Sequence, residues 1–187
     1  LYQYTGFKFQ ETSSHFSAQS TLDAPLAFSA ALRGLAVSLQ KIANDIRWMG
    51  SGPRAGLGEL ELPQIQPGSS IMPGKANPVI PEAVIQASAP VIACDAAMLQ
   101  AAQGGYFELN TMLPMAAHNL LMAIELLANA SESFTTKCIT GLKATDRGPE
   151  LVEEGLMLAT ALTPAIGYEA AAEVAQKAHR TGRSVME

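Results

Sequence analysis

Cysteine is nearly absent: Cys94 and Cys138 are the only two among 187 residues, each inside an apolar stretch ("VIACDAAM" and "TTKCITGL"). That excludes a fold stapled by a disulfide framework and predicts two buried, reduced thiols, the pattern of a cytoplasmic protein. Aromatic residues are also scarce, at 6% against 48% hydrophobic overall. Alanine fills the gap with 31 positions, which favours closely packed helices over a β-sandwich. Positive charge is in short supply, with 12 Lys and Arg against 17 Asp and Glu and a net charge of −5. No basic face is available to neutralise phosphates, so nucleic acid is excluded as a partner. A small anionic ligand is not excluded, because one well-placed lysine can hold a carboxylate whatever the net charge. No apolar run is expected to reach membrane-spanning length, and no signal peptide is visible, so no membrane partner is expected. The opening "LYQYTGFKFQ" and the closing "HRTGRSVME" both read as cut ends, and the chain is expected to be a piece of a longer protein.

What the chain does contain is helical pattern. After a polar, turn-like stretch over 1–20, apolar residues at Leu22, Leu26, Ala30, Val37, Ile42 and Ile46, widened by Leu32, Leu35 and Leu39, predict one helix from Leu22 to Met49 buried on more than one face. The segment 50–63, "GSGPRAGLGELELP", ends it with four glycines and two prolines. A second helix is predicted from Pro81–Glu82 to about Gln103, with proline in its first turn, an acid beside it and a kink at Pro90. A third runs from about Asn110 to Phe134, and two shorter ones cover about 150–162 and 169–178. The fold class expected is all-α: a long-helix bundle over 1–143 and a small helical C-terminal domain over 144–187. Residues 50–78 lie between helices as a long loop, and loops of that length inside compact domains are usually functional or disordered. Its Leu57, Leu60, Leu62, Ile65, Ile71 and Met72 argue for order.

Within that loop stands "GSSIMPGKANP", residues 68–78. Gly68 lets the backbone turn, so that following N–H groups can converge on an anion. Ser69 and Ser70 add hydroxyls, Pro73-Gly74 a second turn, Lys75 a cation and Asn77 an amide that both donates and accepts. The set holds no acid and no histidine. It suits holding a carboxylate, or stabilising charge that develops on one when a neighbouring proton is removed. By composition alone it is also an ordinary solvated Gly-Ser loop. It is not a phosphate-binding P-loop, since the Gly-Lys-Ser/Thr order and the preceding strand are missing.

The order of its residues carries more. "GSSIMPGKANP" resembles the signature loop of the fumarase/aspartase superfamily, meeting Gly-Ser-Ser-x-Met-Pro-x-Lys-x-Asn-Pro at every fixed position. "KIANDIRWMGSGPRAGLGELELP" (41–63), "GGYFELN" (104–110), "PMAAHN" (114–119) and "TALTPAIGY" (160–168) resemble its flanks, in the later part of the family's sequence. Gly74, "FELN", "AHN" and "IGYEAAAEVAQKAH" are most similar to the class II fumarase branch. Cys94, Leu113 and Thr163 depart from the family's usual residues, and "NPVIPE" is shared with aspartases.

The resemblance implies a lyase acting on a small dicarboxylate without metal or organic cofactor. In it Ser69 is the base that removes the α-proton, and Ser70, Lys75 and Asn77 hold carboxylates. Glu82 is the acid that orients an active-site histidine. None of His15, His118 and His179 sits in the family's Thr-His setting, so that histidine is expected outside this chain. The resemblance also implies a homotetramer whose active sites draw on several subunits, in the cytoplasm, or in mitochondria for a eukaryote. Hydration of fumarate is the first expectation, an aspartase-type ammonia-lyase the alternative, and a non-catalytic structural homologue the third. Other singled-out residues read as structural: His118 as packed or capping, His179 as the end of a surface helix, and Asp45 with Arg47 as an ion pair near a helix end. Arg54 would fix the loop approach, Glu108 could support the site from behind, and Met49, Met72, Met98, Met112, Met115 and Met122 would fill the core.

Overall fold

In the computed structural model, all of residues 1–187 are described except Pro67, Ser69, Ser70 and Pro73. The fold is helical. The elements run α1 (Tyr2–Thr5), α2 (His15–Ser20), α3 (Asp23–Met49), β1 (Leu60–Glu61), α4 (Val79–Gln103), β2 (Gly105–Tyr106), β3 (Leu109–Asn110), α5 (Leu113–Lys137), β4 (Lys143–Ala144), α6 (Arg147–Glu154), α7 (Thr163–Ile166) and α8 (Tyr168–Thr181). Two 3-10 segments, Ile139–Gly141 and Leu156–Leu162, lie before β4 and α7. The chain falls into two compact units, each drawn from two stretches: 1–44 with 79–136, and 45–78 with 137–187.

The first unit is built on narrow stripes of small residues. Leu22, just before α3, and Ser29, Ala36 and Ala43 on it are buried and recur every seven residues, the spacing of a seam between helices that run nearly parallel. On α4 they are Val84, Ser88, Val91, Cys94 and Asp95, Met98 and Ala101, and on α5 Ala116, Ala123, Leu127 and Phe134. Ala36, Val91, Cys94, Ala123 and Leu127 form one cluster, and Leu22, Met98, Ala101 and Ala116 a second. Alanine at the contacts lets the helices approach closely, which is why so aromatic-poor a chain still closes a core. Among the described residues the buried polar groups are Ser29, Ser88, Asp95 and Asn110, and one of them carries a charge. Asp95, 6% exposed, accepts a 2.7 Å hydrogen bond from Ser29 Oγ and pairs with Arg33, tying α4 to α3.

α4 continues through Pro90 as one helix. Beyond it, β2 and β3 make a hairpin in the register Gly105↔Asn110 and Tyr106↔Leu109. Asn110 is buried at its base: its amide donates to the Ala101 carbonyl at 2.9 Å, and its side-chain oxygen accepts from the Met112 N–H at 2.8 Å.

Several expectations need correction. α3 and α4 are in fact long and apolar enough to cross a membrane by length and composition, because Ala, Leu and Val outweigh their few charges. Buried helices of bundles pass the same test. His118 is exposed rather than packed. It lies two residues past buried Ala116 and nine before buried Leu127, which at about 100° per residue places it on the opposite face of α5. Among the methionines, Met98 is fully buried and Met115 and Met122 pack against the core, but Met72 and Met112 are exposed. Both cysteines are free and buried as expected, and burial pushes each thiol pKa up.

In the second unit, β1 pairs antiparallel with β4, Leu60 opposite Ala144 and Glu61 opposite Lys143. Thr145 extends the contact: its N–H donates to the Glu59 carbonyl at 3.0 Å and its hydroxyl to the Gly58 carbonyl at 2.6 Å. α8 buries Ala171 and Ala178 and ends on left-handed Gly182, where the Arg183 N–H returns to the Ala178 carbonyl.

Candidate active site

The loop that carries the signature motif is anchored before it begins. Ser51, two residues past α3, accepts from the Leu57 N–H on its hydroxyl at 3.1 Å and from the Gly58 N–H on its carbonyl at 2.7 Å. Residues 51–58 thereby close on themselves, and Gly56 fits only because a side chain there would strike the Ser51 and Gly52 backbone. The Glu59 N–H donates to the Met49 carbonyl at 2.8 Å, and β1 is then held by β4. Leu62 packs on Gly50. Leu60 and Leu62 are half-buried, as the reading of an ordered loop requires, whereas Leu57, Ile65, Ile71 and Met72 are exposed in this chain.

The motif follows. Ser69 and Ser70, the expected base and its neighbour, lie outside the described residues. Gly68, Lys75 and Asn77 are described and exposed. The Lys75 N–H donates to the Met72 carbonyl at 3.2 Å. That closes a turn with Gly74 at φ 81, a conformation that favours glycine. The turn brings Lys75 back against Gly68, leaving no room for a Cβ between them. Pro78 ends the loop and α4 begins at Val79. Glu82 lies in the first turn of α4, half-buried, where a carboxylate is favoured by the unpaired N–H groups of the helix start. It belongs to the first compact unit, and Lys75 and Asn77 to the second.

Lys75 and Asn77 together offer an ammonium and an amide in solvent, suited to an oxyanion and unable to act as a strong base. The histidines lie elsewhere. His15 Nε2 meets the Glu11 carboxylate at 3.1 Å, and His118 and His179 are exposed on α5 and on the last turn of α8. Glu108 is exposed beside Phe107 at the tip of the β2–β3 hairpin. Among the described residues no three of His, Cys, Asp and Glu come together to hold a metal ion. A hollow of about 150 Å³ lined by Leu156, Ala159, Thr163, Tyr168 and Ala171 carries no cation, and does not suit a dicarboxylate. Sequence reasoning missed the contact of Gly68 with Lys75 and the pairing of β1 with β4. The first left a signal in the glycine itself. The second left none, because two-residue strands show no alternation.

Comparison with known proteins gives these features a context. A family model described as "Lyase" matches residues 1–93, and one described as "Fumarase C C-terminus" matches residues 158–187. A fumarate hydratase class II from Pseudomonas aeruginosa is 50% identical over 184 residues, 98% of this chain and 40% of its own length. One from Corynebacterium efficiens is 49% identical over 187 residues, again 40% of its length. The chain thus spans about 40% of the curated relatives it matches. Among solved structures, fumarate lyase:delta crystallin from Brucella melitensis superposes with a TM-score of 0.91 at 44% identity, covering 99% of this chain and 43% of that one. Recombinant class II fumarase from Schistosoma mansoni gives 0.91 at 34%, covering 98% and 40%. With the signature loop complete in sequence, the long helices in place and both ends of the chain matched, this chain belongs to the fumarase/aspartase superfamily of lyases.

Proposed function

We propose that the chain is the later part of a class II fumarate hydratase, which interconverts fumarate and malate. The observation that carries this is the loop 68–78, with every fixed position of the signature present, in a chain about half identical to proteins named fumarate hydratase. In the hydration reaction run backwards, a base takes the proton next to one carboxylate and the charge spreads onto that carboxylate. The hydroxyl leaves as water with a proton delivered by a general acid from outside these residues, the base later returning its proton to solvent. Ser69 is the base, activated by loop N–H groups and by the positive charge of Lys75. Ser70, Lys75 and Asn77 hold the carboxylates, and a lysine about 4 Å from the extra charge offsets it by roughly 4 kcal/mol at intermediate dielectric. Glu82 orients a histidine supplied from outside these residues, so the 187-residue chain by itself is expected to be inactive.

A homotetramer is part of the same reading. Phe28, Leu35, Val37 and Ile42 on α3, Leu99 on α4 and Leu121 on α5 are all exposed. Three long helices with apolar residues on a second face call for a further helical partner. The cytoplasm is the proposed compartment, in keeping with two reduced thiols.

The test is an assay of the full-length enzyme with malate and, separately, with aspartate. Turnover of malate with none of aspartate is expected. Turnover of aspartate alone would move the assignment to an ammonia-lyase, and turnover of neither would leave a structural homologue.

A further inference from the structure

Glycine at the first position of the loop has a specific physical reason. A Cβ built on Gly68 would strike the carbonyl oxygen of Lys75, seven residues on. The φ of Gly68 lies outside the left-handed region, so what glycine supplies here is room rather than conformational freedom. On the other side of the Lys75 backbone, its N–H is held by the Met72 carbonyl in the turn that Gly74 permits. Lys75 thus has its N–H bonded to Met72 and its C=O packed against Gly68, although its side chain is exposed. A flexible four-carbon stem aims its ammonium only as well as its backbone is placed.

We propose that Gly68 is a positioning residue that acts through Lys75: by leaving space for the Lys75 carbonyl it sets where the ammonium meets a substrate carboxylate. This rests on the reading of Lys75 as a carboxylate holder. A side chain at 68 displaces the charge without removing it, and a misplacement of about 1 Å is enough to cost up to roughly 100-fold in rate. Gly74 makes a contrast. Nothing lies within 4 Å of a Cβ there, so alanine meets only the strain of φ 81.

The experiment measures kcat and KM for fumarate in the full-length enzyme, with Tm alongside. The variants are Gly68→Ala, Gly74→Ala, Lys75→Ala and the double variant Gly68→Ala/Lys75→Ala. Gly68→Ala is expected to raise KM about 10- to 100-fold with Tm unchanged, and Gly74→Ala to act several-fold less. The double variant should match Lys75→Ala, because Gly68 has no route to substrate except through that lysine. The proposal is overturned if Gly68→Ala behaves as wild type, or if the losses of Gly68→Ala and Lys75→Ala multiply in the double variant. Loss of fold in Gly68→Ala also counts against it, since the proposed effect is confined to the lysine. If Lys75→Ala leaves KM unchanged, the carboxylate role of Lys75 falls and the proposal with it. If Lys75→Ala raises KM and Gly68→Ala does not, the proposal alone falls.

Discussion

Met98 and Lys75 mark two extremes of this chain: the first exposes none of its surface, and the second stands in solvent at the end of a turn. Around Met98 the requirement is volume. Alanine, valine and cysteine recur on the seams of α3, α4 and α5, and another apolar residue of similar size would serve at most of those positions. Around Lys75 the requirement is placement. Gly68 and Gly74, on either side of the turn that presents Lys75, occupy positions where a single methyl group collides in one case and meets an unfavourable φ in the other. The first region tolerates substitution and governs stability. The second is mostly exposed, contributes little to stability, and on the proposed function governs catalysis.

That division can be broken by experiment. The largest effect is expected at Ser69: in the full-length enzyme Ser69→Ala lowers kcat by roughly 10²–10⁴ with an unchanged urea midpoint, and a near wild-type kcat would remove Ser69 from the role of base. Met98→Ala reverses the pattern. It should cost about 3 kcal/mol of stability in urea unfolding while kcat stays within a factor of two or so of wild type. If Met98→Ala abolished activity without loss of stability, the separation between the two regions would not stand.

Smaller effects sharpen it. Asp95→Asn keeps the shape but weakens the bonds from Ser29 and Arg33, and is expected to lower stability by about 1–2 kcal/mol, again read from the urea midpoint. The cysteines give the smallest effect. Neither should react with a thiol reagent in the native protein, and both should after unfolding. Burial raises both thiol pKa values above the ordinary 9.0, so the folded chain keeps protons that the unfolded chain releases at higher pH. Their contribution leaves stability flat at neutral pH and lowers it as pH rises past about 9. A stability that rose over that range would contradict their burial.

The helical region was the more legible of the two. The apolar spacing from Leu22 to Ile46 and the Pro81–Glu82 start of α4 mark those helices in the sequence, because a 3.6-residue period repeats often enough to be seen over 25 residues or more. Yet Leu35, Val37 and Ile42 of that stripe are exposed, and the buried seam runs through Ser29, Ala36 and Ala43 instead. The face each residue takes was less so. His118 sits among apolar neighbours in sequence and still points outward, since composition does not carry rotation about the helix axis. The loop was legible as chemistry and not as geometry. Its residue order suits carboxylate binding, but the closure of residues 51–58 on Ser51 depends on backbone approach, which no side-chain pattern encodes, and the contact of Gly68 with Lys75 left only the glycine itself as a signal. Leu156–Leu162 was expected to continue an α-helix begun near Glu150. It forms a 3-10 segment after a break at Gly155, where the backbone is extended with ψ 140.

The hydrogen bond from the Thr145 hydroxyl to the Gly58 carbonyl joins residues 87 apart in sequence. The β1–β4 pair beside it spans nearly the same interval. During synthesis from the N-terminus, the approach to the signature loop can be made long before the residues that hold it exist. The turns within α3 and α4 form on local contacts, and the tie from Ser29 to Asp95 closes over 66 residues, whereas this clasp waits for a still longer closure whose entropy must be met late. The amides of Glu59 and Thr145 should then gain protection from hydrogen exchange together, after those at the centres of α3 and α4. A ribosome halted before Lys143 would carry the complete motif with its mooring still unwritten.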